Sequence, residues 1–365
     1  CDLFVPNEAR YQAAPYPGRI PGVCPRYSTH NTPGSVGHQN GWSDVHFSGH
    51  RLPLRAGSCH PFCMEGWRKE EVIAMLVSAR TLPAEAFRVG PLGTHERLST
   101  QYAVEKRQFR TLAYYEQRWL RACAVAASMP RAALVGRSAA RLLGMWVVAT
   151  SAEPVELCAV TGKPPSKRGW PSGCVYLQPR KRSGFVRSNG RIRVMDELTN
   201  AFEIALRHGF REGLVAMDWI LRHHSDRATV EAEILKLGKA RNIEVLRKVM
   251  RYAVANSRSP FESYARAVLI DAGLDNFLVN QPIGNFEVDL LDGRLIIEVD
   301  GDYKYDGVTF GRTDQIIRAE RAREKVLQGM GYVVCRVSPR QLLEAEEAFV
   351  AEVRSLMAVA RRMDG

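Results

Sequence analysis

No run of about eighteen apolar residues occurs anywhere in the 365 residues, so no segment is built to cross a bilayer as a helix. The N-terminus also lacks the apolar core of a secretory signal peptide, which sets the expectation of a cytoplasmic protein with no membrane partner. Four cysteines lie beyond the first segment, Cys123, Cys158, Cys174 and Cys335, scattered among apolar or loop surroundings. That pattern excludes a disulfide scaffold and fits reduced thiols. A further absence is of one charge sign: between Glu156 and Asp196 there is no acidic residue.

What fills that gap is basic. Lys163, Lys167, Arg168, Arg180, Lys181, Arg182, Arg187, Arg191 and Arg193 crowd loops that also hold Trp170 and Tyr176. The whole chain carries a formal charge of +12. Each Lys or Arg that meets a phosphate releases condensed counterions, so DNA is the expected partner and an anionic membrane surface its competitor. Interleaved rings add stacking platforms for bases. A solubilising face would look similar, but opposite charges are missing rather than interspersed, which favours binding.

Residues 1–63 are rich in Gly, Pro, Ser and His, open without Met and show no helical or strand periodicity, so they are expected to be disordered or a non-native extension. Cys59-His60-Pro61-Phe62-Cys63 has a spacing that a zinc site uses, yet no second ligand pair stands out and no site is assigned. Residues 64–130 read as helical, with one helix over Trp67 to Ala79 and a longer one over Thr100 to Ser128 that lines up Arg107, Arg110, Tyr114, Tyr115, Arg118, Trp119 and Arg121. Residues 131–258 read as a basic α/β domain: a strand and helix over Ala132 to Trp146 with Ser138 as the cap, three strands, then helices from Asp196 onward. Asn256 to Ser259 form the joint to a last domain, 259–365.

That domain centres on QPIGNFEVDLLDGRLIIEVDGDYK, Gln281 to Lys304. Two apolar runs flank Asp292-Gly293, a strong signal for a two-residue hairpin turn. Pairing Leu291 with Arg294 makes Asp289 and Glu298 diagonal neighbours on one face, with Asp300 following. Carboxylates that close are costly unless something neutralises them, and a hard cation such as Mg²⁺ does so. Ahead of the hairpin, Ser259-Pro260-Phe261-Glu262 is a capping box that starts a helix.

Asp289, Glu298-Val299-Asp300-Gly301, Lys304, the helix beginning at Ser259 and the tract Glu320 to Arg336 together resemble the restriction-endonuclease-like superfamily. Its branch akin to the very-short-patch-repair endonuclease is similar over roughly the last hundred residues. Residues 131 to 224 more loosely resemble AbiEi-like antitoxin domains. The resemblance implies an α/β (α+β) fold with a mixed sheet flanked by helices. It also implies a Mg²⁺ or Mn²⁺ ion held by Asp289, Glu298 and the Val299 carbonyl, with Glu262, Asp300 and Lys304 as further catalytic residues. Arg321 and Arg323 then contact phosphate or pair along their helix with Glu320 and Glu324. Asp300 departs from the family pattern, which places Lys there; Lys304 supplies the charge from a displaced position. Two functions follow: a metal-dependent DNA endonuclease, or an antitoxin-like DNA-binding regulator, with a cognate toxin as partner, whose nuclease fold no longer cuts.

Overall fold

The computed structural model describes residues 43–47, 50–54, 69–89, 92–179, 186–189, 192–299 and 321–363. Inside the stretch expected to be disordered, β1 (Ser43–Phe47) and β2 (His50–Leu54) pair as an antiparallel hairpin. The first helix, α1 (Lys69–Ala74), is shorter than its periodicity predicts, because Val77 and Ser78 leave it as β3 (Val77–Ser78) to pair with a later strand. The long helix expected over Thr100 to Ser128 is three elements, β5 (Tyr102–Glu105), α2 (Lys106–Thr111) and α3 (Tyr114–Ser128), with β4 (His95–Arg97) just ahead of them. Tyr102, Ala103 and Val104 are buried as the middle strand of the order β3-β5-β4, a placement that overrides their helical spacing. The Glu116 carboxylate accepts the Ala113 N–H at 2.8 Å and restarts the helix.

Between β3 and β4 the described residues form a 3-10 turn, Ala84–Phe87. The Arg and aromatic stripe of α3 is used internally: Trp119 is buried, Arg118 lies over the Tyr114 ring at 4.7 Å, and Arg121 pairs with Glu96.

A five-stranded sheet follows in the order β8-β7-β6-β10-β9. Its members are β6 (Ala132–Leu134), β7 (Val155–Ala159), β8 (Cys174–Tyr176), β9 (Val186–Asn189) and β10 (Ile192–Met195). Ser138 does not cap α4 (Gly136–Leu143); its hydroxyl accepts the Glu156 N–H at 3.0 Å, and the Glu156 carboxylate takes the Arg137 N–H at 2.6 Å instead. Four helices come next: α5 (Glu197–His208), capped by Asp196, then α6 (Phe210–His223), α7 (Arg227–Lys236) and α8 (Ile243–Tyr252).

The last part runs α9 (Pro260–Asp271), β11 (Leu278–Ile283), β12 (Phe286–Asp292), β13 (Leu295–Val299), α10 (321–329), β14 (Val333–Val337), α11 (Pro339–Glu344) and α12 (Glu346–Arg362). The sheet order is β11-β12-β13-β14, with β14 parallel to β13, so the molecule is a mixed α and β protein. α11 and α12 are separated at Ala345, where the backbone leaves the helical region and Glu346, paired with Arg211, begins the new helix.

Two main cores result, and neither follows the boundaries at 130/131 or 258/259. One packs α1, α3 and the five-stranded sheet through Ile73, Trp119, Leu120, Leu134, Leu157 and Val194. The other runs without interruption from α5 and α6 to the last sheet through Phe202, Leu214, Leu246, Leu269, Leu290 and Ile297. The four described cysteines are all free and buried, and burial pushes the thiols of Cys158 and Cys174 up to about 11 and that of Cys335 to about 12.

Candidate active site

Glu262 sits in the first turn of α9, where the expected capping box forms in part. Ser259 Oγ accepts the Glu262 N–H at 3.1 Å, which closes half of a cap. The Glu262 carboxylate reaches back to the Arg258 N–H at 2.9 Å, one residue earlier than a standard capping box, and also accepts from Asn280 Nδ2 at 3.0 Å. It is buried, at 7 % exposure, so this cap faces the interior.

The hairpin forms, but its turn is displaced by one residue. Asp292 pairs with Leu295 and Leu291 with Ile296, which leaves Gly293-Arg294 as the two-residue connection. Gly293 has φ +56° and Arg294 is not left-handed, so glycine stands at the first central position, as in a II′ turn, rather than at the second position of an Asp-Gly I′ turn. The face that each side chain occupies is unchanged by this correction. Extending the register by one step past Leu290↔Ile297 sets Asp289 directly opposite Glu298, closer than the diagonal expected.

The opposite edge of β12 adds a residue the sequence reading missed. Val279 pairs with Leu290 and Gln281 with Val288, so Asn280 lies between them, across from Asp289, with φ +48°. Asn is among the few residues that tolerate this conformation. Its amide then spans Glu262 and the Asn256 carbonyl, the latter at 2.8 Å. The available signal was an Asn, a poor strand former, in the middle of a strand-like run.

Three carboxylates thus converge from α9, β12 and β13. Asp289, which is partly buried, is held well above the ordinary carboxylate range first by burial and then by the negative charges of Glu262 and Glu298. The Val299 N–H, donating to Asp289 Oδ2 at 2.8 Å, and Arg323 oppose this only in part. Burial also raises Glu262. Glu298 is buried and accepts from Arg323 Nη2 at 2.9 Å. Arg323 further donates to the Glu287 carbonyl, so it reaches across to the sheet; Glu320 lies outside the described residues. Glu324 binds Arg336 instead, at 3.2 Å, while Arg321 is exposed.

Among the described residues, no group of three or more His, Cys, Asp and Glu side chains is disposed to hold a metal ion. Asp300 and Lys304 lie outside the described residues, as do Arg180, Lys181, Arg182 and Arg191. Of the basic tract that is described, Lys163, Lys167 and Arg168 are exposed around a 3-10 turn, Lys167–Gly169, and Arg193 is half-buried on β10. Arg187 stands on β9, paired with Val194. Trp170 folds onto its own loop, donating to the Pro165 carbonyl at 2.9 Å with its ring 5.8 Å from that of Tyr176. No described contact joins this tract to the three carboxylates.

No helix among the described residues is long and apolar enough to cross a membrane. Compared with protein-family models, with curated proteins and with solved structures, the chain matches none.

Proposed function

We propose that the chain is a metal-dependent endonuclease that hydrolyses phosphodiester bonds in DNA. The observation that carries this reading is the meeting of Glu262, Asp289 and Glu298, in which Asp289 is disfavoured as an anion by burial and then by the charges of its two neighbours. Such a cluster suits a divalent cation, because a positive charge at this point would relieve the repulsion. Asp289 and Glu298, with the Val299 backbone, would hold Mg²⁺ or Mn²⁺, and Glu262 would stand beside them. When bound, such an ion supplies Lewis acidity and lowers the pKa of a water. The chain's own contribution is positional. Asn280 fixes Glu262, the Val299 N–H fixes Asp289, and Arg323 offers a fork that suits either Glu298 or a phosphate oxygen. Asp300 and Lys304 enter through the resemblance alone, and the basic tract from Lys163 to Arg193 would hold the DNA backbone.

A second reading has its own support. Arg323 pairs with Glu298 and the Val299 N–H donates to Asp289, so part of the cluster's negative charge is met by the chain itself. That suits a DNA-binding regulator that does not cut. Plasmid incubated with the protein, with and without Mg²⁺ or Mn²⁺, separates the two. Cation-dependent nicking is expected, and loss of it in the Asp289→Ala, Glu298→Ala double variant. Nicking by that variant at the wild-type rate removes the site, and no nicking by the wild type favours the regulator.

A further inference from the structure

The start of α9 is tied to the upstream helices by a buried polar network centred on Asp218 of α6. Asp218 is fully buried and Arg266 is 5 % exposed. Asp218 Oδ2 accepts from Ser263 Oγ at 2.7 Å and from Arg266 Nη2 at 2.8 Å, while its Oδ1 accepts the Val254 N–H at 2.8 Å. Arg266 Nη1 donates to the Tyr252 carbonyl at 2.5 Å, and the hydroxyls of Ser257 and Ser263 lie 2.8 Å apart. Arg222 holds the Ser257 carbonyl at 3.0 Å. The segment expected to be a plain joint is therefore bonded on both sides. Asn256 continues the tie to β11 by donating to the Val279 carbonyl.

A buried ion pair is a poor way to add stability, since apolar residues of similar volume serve as well or better. What it does supply is direction. Asp218 can accept from Ser263 and Arg266 only at one rotation and one height of α9. Ser263 adjoins Glu262 in the chain, and Arg266 lies one turn further on. Fixing these two side chains consequently fixes the direction in which Glu262 projects toward β12.

We propose that Asp218 and Arg266 are positioning residues for the carboxylate cluster: lying outside it, they set where Glu262 stands relative to Asp289 and Glu298. The proposal rests on the endonuclease reading for what the cluster binds. It also makes the site dependent on a helix some forty residues upstream of α9, in a part of the chain that the sequence alone assigns to a different domain.

The test uses the full chain and the Asp218→Leu, Arg266→Met double variant, which removes both charges together and leaves no unpaired ion in the core. Two quantities are read: the Mg²⁺ concentration that gives half of the metal-induced rise in Tm, and kcat and KM for plasmid nicking. With a metal-free Tm close to wild type, the expected result is a Mg²⁺ midpoint raised about 10-fold, the low end of the effect of removing a group that orients a metal site from outside its ligands. kcat should fall while KM for DNA stays the same. Should the double variant fail to fold, the isosteric Asp218→Asn protein is expected to show the same shift. A folded variant whose midpoint and kcat equal those of the wild type overturns the positioning role and leaves the endonuclease reading intact. A wild type whose Tm ignores Mg²⁺ overturns the metal reading itself, and this proposal with it.

Discussion

Asp289 carries a charge that its surroundings disfavour, and the direction of that effect fixes a pH dependence. Because its carboxyl is raised above the ordinary value, the folded state binds a proton more tightly than the unfolded state does. The stability this gives is fully present below the unfolded pKa of about 3.9 and is lost as pH rises through the folded value. In metal-free buffer, Asp289→Asn should therefore be more stable than wild type near neutral pH, and the advantage should vanish as pH falls below about 4. Tm recorded for both proteins between those limits checks it; a difference that stays constant with pH would mean that neither burial nor Glu262 and Glu298 raises the Asp289 carboxyl. The same substitution should abolish nicking. Glu262 and Asn280 show how unevenly residues reveal themselves: the cap at Glu262 follows from three neighbouring letters, whereas Asn280 acquires its role only by lying across from Asp289 in a folded sheet.

At the scale of elements, α4 is set by a glycine that nothing else can replace. Gly136 has φ +60°, and a Cβ there would stand 2.3 Å from Glu156 Oε2. That carboxylate cannot swing away, since it also holds the Arg137 N–H and lies 2.7 Å from His208 Nε2. Gly136→Ala should cost the left-handed penalty of about 1–2 kcal/mol plus the loss of these bonds. Gly173→Ala, at φ +72° with nothing within 4 Å, should cost the backbone part alone. Denaturant titration of the two variants measures the difference, and equal losses would show that the Glu156 contact is soft. Elements set by short-range rules were legible: the Pro-started helix α9, the helix that starts at Asp196, and the two apolar runs of the hairpin. Those decided by distant partners were not. β5 looks helical until β3 and β4 flank it, and Ser138 looks like a cap until β7 brings Glu156 to it. The turn at Gly293 needed a backbone angle, which no residue pattern supplies.

Across the whole molecule, the excess positive charge should dominate binding to DNA. Lys163, Lys167 and Arg168 are exposed together, and replacing all three with Ala should flatten the slope of log affinity against log salt by up to about three, close to one per lost phosphate contact. Fluorescence anisotropy with a labelled duplex at several salt concentrations reads this; an unchanged slope would take the loop out of the interface. The acid-free stretch between Glu156 and Asp196 made the exposure of Lys163, Lys167 and Arg168 legible in the sequence. What it did not announce is that the buried core continues across residue 258. That continuity orders events during synthesis. When the ribosome has released α5 to α8, the apolar face they will share with Tyr264, Leu269 and Leu290 still lacks its other half, and Asp218 lacks Arg266. The carboxylates of α9, β12 and β13 can take up their places only after translation has run on to β14 and α12, so a half-made chain carries no assembled site.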